Sequence, residues 1–120
     1  MCATMTNTGL PKSAQIRHSR EYAHIYANGK RVRGKYIRIV AQTNNKDWPR
    51  LGLSVGKKFA NSAVKRNRVR RVLRAAFRLQ ASNIGAWDII LIPNAPDRSY
   101  RTPVIEKELI KLIGKLNSHS

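Results

Sequence analysis

The stretch Val55–Phe77, VGKKFANSAVKRNRVRRVLRAAF, decides how this chain is read. With Arg78 one step beyond, it carries Lys57, Lys58, Lys65, Arg66, Arg68, Arg70, Arg71, Arg74 and Arg78, and no acidic residue. The acid-free interval extends from Trp48 to Trp87. A run so charged repels itself and is ordinarily disordered. Here Val64, Val69, Val72, Leu73, Ala76, Phe77 and Leu79 are laced through it. Asn61 or Ser62 can supply the side-chain oxygen that caps the first free helical N–H groups. At about 100° per residue, Val69, Val72, Leu73, Ala76, Phe77 and Leu79 fall on one arc of about 160°, with Arg68 at its far edge. Arg66, Asn67, Arg70, Arg71, Arg74 and Arg78 fall mainly on the other side, over about 140°. The spacing predicts an amphipathic helix to about Gln80 whose wet face is nearly all arginine. An ordinary solvated face mixes both signs in i,i+4 pairs. This one has no acidic partner, so the compensating charge must come from outside, and the face reads as a polyanion-binding surface. The preference for Arg over Lys suits bidentate phosphate contacts.

Upstream, Arg50–Val55 reads as a strand with Leu51, Leu53 and Val55 inward. Gly52 and Ser54 point outward and leave room for something to lie on the sheet. Tyr36–Gln42 alternates as another strand, with Ile37, Ile39 and Ala41 on one face and Tyr36, Arg38 and Val40 on the other. Asn44-Asn45 within Thr43–Asp47 predicts a hairpin turn between the two. Lys30, Arg31, Arg33 and Lys35 surround Gly34, with room for a short extra strand near Val32. Ser19–Asn28 reads as a short helix, with Ser19 as N-cap, Glu21 in the positive first turn and Asn28-Gly29 as a C-cap signal. Its Tyr22, Ile25 and Tyr26 share one face. The two tyrosines fit either core packing or a platform for unstacked bases. Residues 1–16 are polar, without apolar period, and are expected to be a mobile tail ahead of one domain at 17–120.

Downstream, Ser82–Gly85 ends the basic helix. Trp87–Ile92 is an apolar strand with Asp88 as its only charge, and Pro93–Asp97 is a loop. Thr102-Pro103 opens a last helix to about Asn117, with Ile105, Leu109, Leu112, Ile113 and Leu116 facing the core. Glu108 and Lys111 can pair on its outer face. The order α, β, β, α, β, α predicts an α+β fold, one sheet with helices.

The chain has 120 residues, enough for one domain with a modest core. Its 24 basic and 6 acidic residues give a net charge of +18. The pI near 11.4 points to nucleic acid or an anionic membrane. A single cysteine, Cys2, excludes an internal disulfide and a thiolate metal cluster. No apolar run approaches the roughly 18 residues of a membrane span, and no secretory signal is evident, so a cytoplasmic protein is expected. A protein nuclease needs paired acid and base groups or metal-holding carboxylates. Glu21, Asp47, Asp88, Asp97, Glu106 and Glu108 are scattered, and His18 and His24 lie about 240° apart around a helix. No catalytic residues and no protein-held metal are expected.

The segment Ala63-Val64-Lys65-Arg66-Asn67-Arg68-Val69-Arg70-Arg71-Val72-Leu73-Arg74 resembles the RNR motif of the bacterial ribonuclease P protein subunit. Gly52-Leu53-Ser54-Val55-Gly56-Lys57-Lys58 is similar to the strand that leads into that family's helix. The resemblance covers roughly Ile16 to Leu116. It implies a ribosomal-protein S5 domain 2-like fold with the basic helix in a left-handed β-α-β crossover. It implies a protein subunit that binds the catalytic ribonuclease P RNA, which uses magnesium, and the 5′ leader of precursor tRNA. No tightly bound cofactor, no membrane and no obligate protein partner are implied. Carried onto this chain, the RNA-binding set is Lys57, Lys58, Asn61, Lys65, Arg66, Asn67, Arg68, Arg70, Arg71, Arg74 and Arg78. The leader-binding set is Tyr22, Tyr26, Arg33, Tyr36 and Arg38. Two positions depart from the family pattern: Ala75, where Glu or Gln is frequent, and Asn94, where an Arg usually precedes the Pro. A structural ribosomal RNA binder is the alternative. A membrane-seeking amphipathic helix fits poorly, because the apolar arc is needed for the core.

Overall fold

The computed structural model describes residues 14–46, 48–95 and 99–118. Its elements are α1 (Ser19–Asn28), β1 (Lys30–Arg33), β2 (Ile37–Thr43), β3 (Arg50–Leu53), α2 (Ala63–Ile84), β4 (Trp87–Pro93) and α3 (Thr102–Ser118). The four strands form one mixed sheet in the order β1-β2-β4-β3. β4 is antiparallel to β2 and parallel to β3, so α2 is the helix of a β3-α2-β4 crossover. The α+β class and the short strand around Val32 are as expected.

The pairing of β3 is not. The Asn44-Asn45 turn does not close a hairpin: β4 lies between β2 and β3. The reason is burial. Trp87, Asp88, Ile89, Ile90, Leu91 and Pro93 are all buried, and a strand enclosed on both faces belongs in the sheet interior. β3 exposes more of its surface and takes the edge. Asp47, in the expected turn, lies outside the described residues. Asn44 instead bridges, its Nδ2 donating to Asp88 Oδ1 at 2.8 Å.

One sheet face is dry. Ile37, Ile39, Ala41, Leu51, Ile89 and Leu91 pack against Val69, Leu73, Ala76 and Phe77 of α2 and Ile105, Leu109, Leu112 and Leu116 of α3. Ser62 caps α2, its hydroxyl oxygen accepting from Lys65 N–H at 3.2 Å. The helix runs four residues past the expected end and buries Ile84. It stops at Gly85, whose φ of 90° only glycine adopts readily. Leu79, placed on the apolar arc by spacing, is 51% exposed, because it lies at the edge of that arc, away from the buried line of Val69, Leu73, Ala76 and Phe77.

The other face carries a smaller core of Ile16, Ile25, Val40 and Ile90, with Tyr22, Tyr26 and Ile92 partly buried against it. The predicted tail therefore overlaps the fold. Ala14 and Ile16 are buried, and Ile16 N–H donates to Leu51 O at 2.9 Å, bonding the chain to β3. Residues 1–13 lie outside the described residues. His18, not Ser19, precedes the first turn of α1.

Candidate nucleic-acid interface

The α1 side of the sheet is built in three rows across the strands, fixed by strand register. Gln42, Asp88 and Arg50 form the first row. Arg31, Val40, Ile90 and Gly52 form the second, and Arg33, Arg38 and Ile92 the third. α1 lies over the first two rows and leaves the third open.

The first row locks α1 in place. Arg50 donates through Nε and Nη2 to both oxygens of Asp88, at 2.8 and 2.7 Å. Its Nη1 reaches Glu21 Oε2 of α1 at 3.1 Å. Burial pushes both carboxyls up, but the hydrogen bonds and charge of Arg50 outweigh it and hold each below the usual carboxylate range. Asn44 adds to this for Asp88, and the His18 and Arg17 N–H groups add to it for Glu21. The same contacts, led by the Asp88 hydrogen bond, raise the already high pKa of Arg50.

The second row explains the outward glycine. What lies on Gly52 is Tyr22: a Cβ there would stand 2.9 Å from the ring. The Tyr22 hydroxyl accepts from Leu53 N–H at 3.2 Å. Tyr22 is therefore a packed, half-buried ring tied to β3. Tyr26, one turn on, is half-buried and lines a cleft of about 310 Å³ with Arg31, Arg33, Arg38, Ser54 and Ile92. A second cleft of about 560 Å³ shares Arg33, Arg38, Ser54 and Ile92 and continues to Lys57, Lys58 and Asn94. The two make one trough along the open third row. It has apolar patches at Ile92 and Tyr26 and cations along its length, as a groove for single-stranded nucleic acid requires. Asn94 stands where an Arg is usual in the family pattern. Its Nδ2 donates to Gly34 O at 3.2 Å, so it braces the turn between β1 and β2.

Tyr36 does not join the trough. It precedes β2, and its ring turns to the dry side, edge-on to Tyr100 at 5.7 Å. Its carbonyl accepts from the Tyr100 hydroxyl at 2.6 Å. Burial raises the Tyr100 pKa. Alternation failed at Tyr36 because the chain bends there, held from α3. Glu108 accepts from Tyr36 N–H and Ile37 N–H, each at 2.8 Å, instead of pairing with Lys111 on the surface.

The basic helix face also sorts into two kinds. Arg66 Nη1 donates to Ala60 O and Asn61 O, both at 2.9 Å. Arg70 donates to Val55 O at 3.1 Å and to Asn67 Oδ1 at 3.1 Å. Both clamp the connection between β3 and α2. Arg68, expected at the core edge, is exposed, as is Arg71. Neither holds a hydrogen bond or ion pair among the described residues. Lys65 and Asn67 are exposed, and Arg74 and Arg78 half-buried, along the same helix. The clamped connection carries exposed Lys57, Lys58 and Asn61, so the helix face and the trough meet across it.

Fold and surface together define a basic α+β protein that presents an arginine-rich helix beside a cationic, partly apolar groove. The family model for ribonuclease P matches residues 10–117. The ribonuclease P protein component of Syntrophus aciditrophicus is 41% identical over 112 residues, covering 92% of this chain and 93% of that one. That of Pseudomonas aeruginosa is 31% identical over 114 residues, covering 93% and 84%. Among solved structures, the Staphylococcus aureus RNase P protein superposes with a TM-score of 0.75 at 31% identity, over 88% of this chain and 96% of that one. The Thermotoga maritima protein gives 0.72 at 26% identity, over 84% and 96%. The chain belongs to the ribonuclease P protein family.

Proposed function

We propose that this chain acts as the protein component of ribonuclease P, with its two basic surfaces divided between two RNAs. The α2 face, through Lys65, Arg68, Arg71, Arg74 and Arg78, docks on phosphates of the catalytic RNA. The trough from Tyr26 and Arg33 past Arg38 to Lys57 and Lys58 receives the single-stranded 5′ leader of precursor tRNA. The observation that carries this division is the open third row: a groove with cations and half-exposed rings, continuous with an acid-free helix face. Leader contacts go to ring faces and phosphates, so leader sequence preference is weak.

Cleavage chemistry belongs to the RNA and its magnesium, and the protein holds no catalytic centre and no tightly bound metal. The described acids already have other work. Glu21 and Asp88 hold Arg50, Glu106 Oε1 accepts from Gln80 Nε2 at 2.7 Å, and Glu108 holds the turn before β2. No helix among the described residues is long and apolar enough to cross a membrane. The proposed partners, the catalytic RNA and precursor tRNA, make the cytoplasm the proposed working compartment. Reconstitution with a bacterial ribonuclease P RNA at low magnesium, scoring leader removal, tests the reading. Stimulation by the protein is expected, with no cleavage by the protein alone. Cleavage without RNA, or an RNA indifferent to the protein, overturns it.

A further inference from the structure

The trough contains a cation that neither the helix motif nor the leader set includes. Arg31, on β1, is exposed and lines the cleft beside Tyr26. Its Nη2 donates to the Tyr26 carbonyl oxygen at 2.7 Å, at the C-terminal end of α1. Its guanidinium carbon lies 5.9 Å from the centroid of the Tyr26 ring. An exposed arginine ordinarily samples many rotamers. This one is held by a helix-end carbonyl and lies within cation–π distance of a ring.

A helix-capping cation would explain the hydrogen bond alone, since positive charge near the last carbonyls is favourable. It does not explain why the guanidinium also lies within cation–π distance of the ring in the same cleft. A guanidinium is planar and weakly hydrated, stacks on aromatic faces, and is itself a surface on which unstacked bases rest. One of its N–H donors is used by the Tyr26 carbonyl, and the others remain. Arg33 and Arg38, paired across β1 and β2, supply cations next to it for the adjoining phosphates.

We propose that Arg31 is a substrate contact. Held by the end of α1 beside the Tyr26 ring, its guanidinium extends that ring into a platform on which one leader nucleobase stacks. The proposal rests on the trough being the leader site and names the residue that grips a base there.

The test uses holoenzyme reconstituted with a bacterial ribonuclease P RNA. Three probes are compared: a precursor tRNA with a single-stranded leader, the same tRNA with a fully abasic leader, and the leaderless tRNA. Arg31→Ala is expected to weaken precursor binding about fivefold or more, the lower end for loss of one stacked base. Leaderless tRNA and the catalytic RNA bind as before. On the abasic leader, wild type and Arg31→Ala bind alike. Arg31→Lys keeps the charge without the plane and recovers little of the loss. Full recovery by Lys, or an equal loss on the abasic leader, makes Arg31 a point charge or a helix cap and overturns the platform. An unchanged affinity for Arg31→Ala also overturns it. Arg38→Ala, measured alongside, separates the two levels. If it loses leader-dependent affinity while Arg31→Ala does not, only the platform fails. If neither loses it, the trough assignment itself fails.

Discussion

The two faces of the sheet come from the same strands and end in opposite states. On the α2/α3 side Ile37, Ile39, Ala41, Ile89 and Leu91 are wholly buried. On the α1 side a ten-residue helix covers two rows and leaves Arg38 and half of Ile92 open. The dry face supplies most of the hydrophobic stabilisation, which scales with apolar area removed from water. That surplus lets the opposite face stay half uncovered. The lesson is that α1 has too little apolar contact of its own to be fixed by packing alone. Its position, and with it Tyr22 and Tyr26, depends on a polar lock.

The largest expected effect comes from breaking that lock. Asp88→Asn leaves Arg50 buried and partly unpaired, and is expected to cost about 3 kcal/mol of stability. The pH dependence has a definite sign. Asp88 and Glu21 have depressed folded pKa values, so their stabilisation is complete above the ordinary carboxylate range near pH 4 and is lost as pH falls through the lower folded values. Urea unfolding of wild type and Asp88→Asn at descending pH reads this. The variant should lose less stability on acidification, and parallel acid limbs would remove the lock from the account.

Next is the helix face. Replacing Arg68, Arg71 and Arg74 together by Ala is expected to lower affinity for the catalytic RNA on the order of 100-fold at moderate salt. The log–log salt slope should shrink by about 0.7–0.9 for each phosphate no longer neutralised. Thermal stability should hold, since none of the three clamps backbone. Affinity unchanged across a salt series would return this face to solvent.

The tyrosines then divide what one face of a ten-residue helix does. Tyr22→Ala removes a ring packed on Gly52 and is expected to cost about 2 kcal/mol of stability, below a fully buried aromatic because the ring is half exposed. Tyr26→Ala, which loses packing on the small core but no ring seated on a glycine, should cost less stability, about 1 kcal/mol, and weaken precursor tRNA binding by about 1–2 kcal/mol, sparing leaderless tRNA. Calorimetry on each variant, with the two tRNA affinities, decides. Equal losses on both tRNAs would make both rings structural.

Much of this was legible in sequence because local periodicity reported it. The basic helix and the apolar face of α3 follow from spacing, and the Ser62 cap is one of the two, Asn61 or Ser62, that the sequence offers. What escaped depends on partners far along the chain. The placement of β4 between β2 and β3 is set by burial on both faces, which turn residues at Asn44-Asn45 do not encode. Tyr36 left its predicted face because Glu108, 72 residues away, holds the bend before β2. The outward Gly52 reads as room on the sheet, but its occupant, Tyr22, lies 30 positions earlier and shares no pattern with it. Helical spacing put Arg66 and Arg70 with the other arginines, and gave no sign that both are aimed at backbone carbonyls.

That last division yields the smallest effect and the sharpest contrast within one motif. Arg66 satisfies the Ala60 and Asn61 carbonyls just before α2, whereas Arg68, two residues on, bonds to nothing among the described residues. Arg66→Ala is expected to cost about 1 kcal/mol, a charge-assisted hydrogen bond discounted for its partial exposure. Arg68→Ala should cost nothing measurable in stability. For RNA binding the order changes in kind. Arg68→Ala leaves one phosphate without its cation and flattens the salt slope. Arg66→Ala loosens the connection that carries Lys57 and Lys58, and so lowers affinity for the catalytic RNA and the leader together. Arg66→Lys retains the charge but offers a single head group for two carbonyls, and should recover RNA affinity less well than the same exchange at Arg68. Melting temperatures and salt-dependent affinities of the four variants measure this. If Arg66 and Arg68 behave alike in both, the backbone clamp has no role in positioning, and the motif acts only as a string of charges.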